Sequence, residues 1–175
     1  MNISEEKGIS FIEILFIAGI LIVLCCMAFM KISNQNQQKN EVHLQKSSKE
    51  FRLAIYNYFL DHGHYPCSEN DYNKKGDLSI LQNQLLWYTN EYGKPAKLRN
   101  RENRFGPYLP EFPIEPISNL HTVKLDSSES KTLLELRLKT ADDSTATGGW
   151  LFQTKTGFLI ANLNRKFFKD YYAYY

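Results

Sequence analysis

One stretch constrains this chain more than any other: from Ile9 to Met30 the residues are apolar except for Ser10, a glycine and one acid, Glu13, and from Ile14 onward none is charged. At a helical rise of about 1.5 Å per residue these 22 positions span about 33 Å, enough to cross a hydrocarbon core of about 30 Å. Thirteen of them are Ile, Leu, Phe or Val. At roughly −0.3 to −0.6 kcal/mol each they contribute about −4 to −8 kcal/mol to insertion. A carboxylate at the helix centre costs roughly 2.5 to 3.5 kcal/mol, and less at Glu13, which is off centre, so insertion wins. An ionisable group inside a span is a functional site by default, and this one calls for a partner.

The run is longer than the apolar stretch of a secretory signal, and no small-residue cleavage site follows it, because Cys25-Cys26-Met27-Ala28-Phe29-Met30 leads straight into Lys31. The glycine, Gly8, comes before the run instead. Removal of the span after insertion is disfavoured on this pattern. Flanking charges do not set an orientation, since Glu5 and Glu6 accompany Lys7 on one side and Lys31 and Lys39 follow on the other. Of 175 residues, those outside the span suffice for one domain of ordinary size. A composition that is 43% hydrophobic and 14% aromatic supports a packed core and excludes wholesale disorder. The net charge of +2 does not call for a nucleic-acid partner. Cys67 is the sole cysteine beyond the span, so no disulfide forms within the soluble part.

Past Met30 no Pro or Gly occurs until Gly63. The segment predicts a helix continuing to about Leu60, with Val42, Phe51, Ile55, Tyr58 and Phe59 on one apolar face. Asp61-His62-Gly63-His64-Tyr65-Pro66 should end it, with Gly as cap and Pro forbidding continuation. Asp77 offers an N-cap to a short helix carrying Leu78, Leu81, Leu85 and Leu86. Residues 91–104 read as a polar loop. Four of the six prolines fall in 106–116, an extended strap that is neither helix nor central strand. Beyond it the period changes to two: Val123 and Leu125; Leu134, Leu136 and Leu138 with Glu135, Arg137 and Lys139 between; Trp150 and Phe152, then Phe158 and Ile160 across a turn at 154–157. These predict a small antiparallel meander with one buried face, packed on the helix.

Taken together these residues resemble the type IV prepilin and type II secretion pseudopilin family, most closely a major-type pseudopilin. The resemblance is strongest at Gly8-Ile9-Ser10-Phe11-Ile12-Glu13-Ile14-Leu15, which is similar to the prepilin peptidase motif. It extends to Gly63-His64-Tyr65-Pro66, to the 106–116 strap, and to Gly148-Gly149-Trp150-Leu151-Phe152 with Thr156-Gly157 and Ala161-Asn162. It implies an α+β, type IV pilin-like fold: a long N-terminal α-helix, its first half transmembrane, packed on a small C-terminal antiparallel β-sheet. The corresponding segments are a leader at 1–8, a transmembrane half-helix at 9–30, a soluble half-helix at 31–60 and a globular α+β domain at 61–175. The resemblance further implies cleavage by a prepilin peptidase between Gly8 and Ile9, N-methylation of Ile9, and Glu13 as the filament-assembly residue that faces the new amino terminus of a neighbouring subunit. Its expected setting is the bacterial inner membrane, single-pass, with the C-terminal domain periplasmic or extracellular. The expected partners are the peptidase, copies of itself and other pilins or pseudopilins in a helical filament, and an assembly platform protein with its ATPase machine.

Other signals are weaker. His62, His64 and Cys67 are metal-capable at short spacing, but three ligands in a Gly/Pro turn make an incomplete site, and no metal is assigned. The calcium loop of many major pseudopilins has no counterpart near the C-terminus, where Asp142 and Asp143 precede Gly148. Lys94, Lys97, Arg99, Arg101 and Arg104, with the basic and aromatic tail 165–175, carry the alternative reading: a minor pilin or competence-type pseudopilin that binds DNA or caps the filament. No nucleophile-base-acid order, phosphate loop or cofactor motif is present, so no catalytic residue and no cofactor are expected.

Overall fold

The computed structural model describes residues 11–68, 78–166 and 168. By contacts the chain divides into two units, Met1–Lys39 and Asn40–Tyr175. Helix α1 (Phe11–His62) begins in the first and ends in the second. It runs unbroken through Gly19, which has open space where a side chain would stand. It stops where the sequence predicts. Gly63 sits in the left-handed region at φ +72° and its N–H donates to the Phe59 carbonyl at 2.8 Å, closing the last turn.

The second unit contains, after α1, helix α2 (Leu78–Leu86), strands β1 (Tyr88–Thr89) and β2 (Pro95–Ala96), strand β3 (Val123–Asp126), helix α3 (Leu133–Asp142), and strands β4 (Thr147–Gln153) and β5 (Leu159–Leu163). The layout is therefore α+β, a long N-terminal helix with small sheets C-terminal to it. α2 matches the predicted short helix and buries Leu81 and Leu85; its expected cap, Asp77, lies outside the described residues. The strap 106–116 is irregular, as its prolines require, and forms only a bridge from Glu115 to Leu120. The stretch read as a loop at 91–104 folds back instead, so that β1 and β2 pair antiparallel with Tyr88 opposite Ala96.

The expected meander is corrected. Residues 133–142, with Leu134, Leu136 and Leu138, form a helix and not a strand. The side chain of Thr132 caps the Glu135 N–H at 3.1 Å, and the Glu135 carboxylate accepts from the Lys131 N–H at 2.8 Å. Thr132-Leu133-Leu134-Glu135 is thus the capping signature of Thr followed three residues later by Glu. Leu, Glu, Arg and Lys, all good helix formers, follow it. Because α3 crosses over, β3 and β4 run parallel, with Val123 opposite Trp150 and Leu125 opposite Phe152. Only β4 and β5 form the predicted hairpin, with Trp150 opposite Ala161 and Phe152 opposite Leu159. The three-stranded sheet is mixed, in the order β3-β4-β5.

Both faces of the hairpin are buried, where one was expected. On one side Trp150, Phe152, Leu159 and Ala161 pack with Phe51, Ala54, Ile55 and Tyr58 of α1 in the main core. On the other, Leu151 and Ile160 pack with Leu136 of α3. The main core is organised around Trp150, whose indole N–H donates to the Pro113 carbonyl at 3.0 Å and whose ring meets Phe51 edge-on at 5.7 Å. A buried indole with its one donor satisfied carries no desolvation penalty for it. Phe51, Ile55 and Tyr58 of the predicted helix face are buried in the core, and the face departs from the prediction at its two ends. Val42 is 63% exposed, whereas Leu44 and Ser48 are buried, and with Phe51, Ile55 and Tyr58 they form a stripe at alternating steps of four and three. Phe59 is half-buried, stacked on Tyr65 at 4.7 Å between ring centroids.

Candidate functional site

The segment the sequence singles out is the first part of α1. Every described side chain from Phe11 to Ser33 is exposed, among them the large apolar Phe11, Ile12, Ile14, Leu15, Phe16 and Ile17. Soluble monomers rarely expose a contiguous apolar patch of more than a few hundred Å². Among the described residues, α1 is the helix long and apolar enough to cross a membrane. Glu13 lies near the start of the described part of α1 and is exposed. Gly8 and Ile9, the expected cleavage pair, lie outside the described residues.

At the other end of α1 the structure brings together residues that the sequence reading kept apart. His62 Nε2 lies 2.9 Å from Thr89 Oγ1 and 3.1 Å from the Tyr108 hydroxyl oxygen. The Tyr108 hydroxyl donates to Asp61 Oδ2 at 2.8 Å. Having given its one proton to Asp61, that hydroxyl can accept from His62 Nε2, while the Glu91 carbonyl, an acceptor too, lies 3.5 Å from Nδ1. Tyr58 packs against the His62 ring at 4.3 Å between centroids. Burial pushes the Tyr58 and Tyr108 hydroxyls above the ordinary phenol range, and Asp61 adds to the rise at Tyr108. Burial likewise lowers the His62 pKa, against an opposing pull from the Glu91 carbonyl. The result is a polar clasp that ties the end of α1 to β1 and to the start of the strap.

The three metal-capable residues are not brought together as a ligand set. His62 is engaged in the clasp, His64 Nδ1 lies 2.9 Å from Ser68 Oγ, and Cys67 is buried with its N–H donated to Gln84 Oε1 at 2.9 Å. Among the described residues no group of three or more His, Cys, Asp or Glu side chains is placed to hold a metal.

The five bases of 94–104 are exposed around β2 and the chain that follows it. Lys97 lies over the Trp87 ring at 5.0 Å and Arg104 over the Phe105 ring at 5.0 Å. Of the basic and aromatic tail, Phe168 is half-buried against the main core; Phe167 and residues 169–175 lie outside the described residues. The clasp had one sequence signal that pattern reading passed over: a His and an Asp in the last turn of a helix, whose carbonyls and charges need partners from elsewhere in the fold. Its other members, Thr89 and Tyr108, carry no such mark. Comparison with protein-family models, with curated proteins and with solved structures returns no match.

Proposed function

We propose that this chain is a structural subunit of a filament of the type II secretion pseudopilus or type IV pilus kind, anchored in the inner membrane through α1 and processed between Gly8 and Ile9. The observation that carries this reading is the pairing of an exposed apolar helical span with a single acid, Glu13, near its start, on a helix whose later part is covered by an α+β domain. An acid at that place would otherwise only weaken insertion. Facing the new amino terminus of a neighbouring copy, Glu13 compensates a charge that is costly to hold alone in an apolar setting. The interface is head-to-tail and propagates without closing. The finer assignments belong to the same reading: a pilin-type fold, N-methylation of Ile9, assembly by a platform protein and its ATPase, and a domain on the far side of the inner membrane. The subunit's work is mechanical, and no step of chemistry is assigned to it.

Mass spectrometry of the protein isolated from membranes tests this. The expected species begins at Ile9 and carries an N-methyl group, and a Gly8→Val variant accumulates as the full-length precursor. A wild-type chain that retains Met1, or a Gly8→Val chain that still reaches the mature mass, overturns the processing claim.

A further inference from the structure

Two surfaces of the second unit are each incomplete, and each supplies what the other lacks. Between α1 and the strap lies an open groove of about 650 Å³. Its apolar lining includes Leu53 of α1 and Ile114 of the strap, exposed at 55% and 41%. Each side also contributes an acid, Glu50 from α1 and Glu111 from the strap, and among the described residues no Lys or Arg lines the groove. Glu111 has no ion-pair partner among the described residues, and Glu50 has Lys46 at 3.9 Å, in a loose pair whose two side chains are largely exposed.

The matching surface is the loop from Lys97 to Arg104. At one end of it Thr89 of β1 pairs with Pro95 of β2, and at the other Thr89 bridges to Phe105, so both ends are held against β1. Within the loop the Asn100 side chain accepts from the Glu102 and Asn103 N–H groups at 2.9 and 2.7 Å, which fixes its turn. Leu98 is 78% exposed, between Lys97 and Arg99. From Lys94 to Arg104 five bases accompany one acid, Glu102. Among the described residues none of the five has an ion-pair partner.

We propose that the Lys97–Arg104 loop of one copy docks in the groove between α1 and the strap of the next copy, with Leu98 against Leu53 and Ile114 and the flanking bases toward Glu50 and Glu111. A purely anionic partner would answer the bases and leave Leu98 in water. The groove does both, since its apolar lining covers the leucine and its acids complement the charge. No residue of 97–104 lines the groove of its own chain. The contact therefore joins two different patches and repeats from copy to copy without closing. It rests on the filament reading and adds to it a contact made by the domains.

The test uses the full chain in membranes of the cells that make it, with Cys25→Ala and Cys26→Ala so that thiols of the span cannot join; Cys67 is buried. Leu98→Cys and Ile114→Cys in one chain, oxidised with copper phenanthroline, are expected to give a ladder of dimer, trimer and longer species, and either substitution alone gives no ladder. Leu98→Cys with Leu134→Cys, a position on α3 that is 63% exposed and outside the groove, also gives none. Glu50→Lys with Glu111→Lys lowers the ladder yield at least about tenfold, because like charges then face each other, and adding Lys97→Glu and Arg99→Glu restores it. The contact is overturned by absence of the ladder, by an equal ladder from the Leu134→Cys pair, or by a yield indifferent to the reversals. A mixed disulfide of the Ile114→Cys chain with a different protein in place of the ladder overturns it too. The amino terminus, read by mass spectrometry in the same sample, judges processing by itself, so a chain that begins at Ile9 and gives no ladder overturns the contact alone.

Discussion

Leu44 and Val42 are two positions apart on α1, and the fold assigns them opposite fates. Leu44 is 0% exposed in the main core and Val42 is 63% exposed. Leu44→Ala removes a fully buried isobutyl group, which costs about 2–5 kcal/mol through lost transfer energy and the cavity left behind. Leu44 lies near the start of the unit, where the helix can partly settle into the gap, which argues for about 3 kcal/mol. In a domain of this size that lowers the unfolding midpoint by about 10 °C. Val42→Ala removes exposed methyls and gains slightly in helix propensity, so it should change stability by no more than about 0.5 kcal/mol. Urea unfolding of the full chain in detergent, followed by tryptophan fluorescence, reads both, since Trp150 is wholly buried beside this helix. Equal losses for the two variants, or a loss below about 1 kcal/mol for Leu44→Ala, would refute the placement of Leu44, and not Val42, at the start of this helical face.

The remaining predictions concern single contacts. The Ser48 hydroxyl is buried without a hydrogen-bond partner, so Ser48→Ala should stabilise by about 1 kcal/mol in the same urea assay, from relief of that group and from better helix propensity. Gly157 sits at φ +72° with an added Cβ placed 2.1 Å from the Tyr65 ring, which is itself stacked on Phe59; Gly157→Ala should cost at least about 2 kcal/mol, read as a lower thermal midpoint. His62 has a lowered pKa in the folded state, so the unfolded chain takes up its proton first as pH falls. The stability it contributes is complete above its unfolded value of about 6.5 and is lost as pH drops from there toward its folded value. Wild type minus His62→Gln, compared by thermal unfolding from pH 7.5 to 5, should show this slope; parallel curves would contradict it.

Segments whose structure is decided by local chemistry were legible from the sequence. The span is read from its composition alone, since lipid requires only length and apolarity. The end of α1 follows from Gly63 and Pro66, the strap from its prolines, and the β4-β5 hairpin from two alternating runs around Gly157. α3 was misread because Leu134, Leu136 and Leu138 alternate as a strand does, although Thr132 and Glu135 beside them already mark a helix start. Phe51, Ile55 and Tyr58 were placed on the buried face from their spacing, but its start was misplaced at Val42, because the polar Ser48 interrupts the stripe that joins Leu44 to Phe51.

Sequence by itself therefore determined where this chain is apolar enough to leave water, where its long helix must stop, and which acid stands in the span. Tertiary structure alone decided the rest. The crossover of α3 makes the sheet mixed and covers its second face, which no alternation in the strands could specify. The clasp joins His62 to Thr89 and Tyr108, 27 and 46 residues away, and Arg52 of α1 donates to the Leu159 carbonyl of β5, 107 residues on. Pairings of that kind depend on how elements dock, and a linear pattern holds no record of which polar groups will end as neighbours.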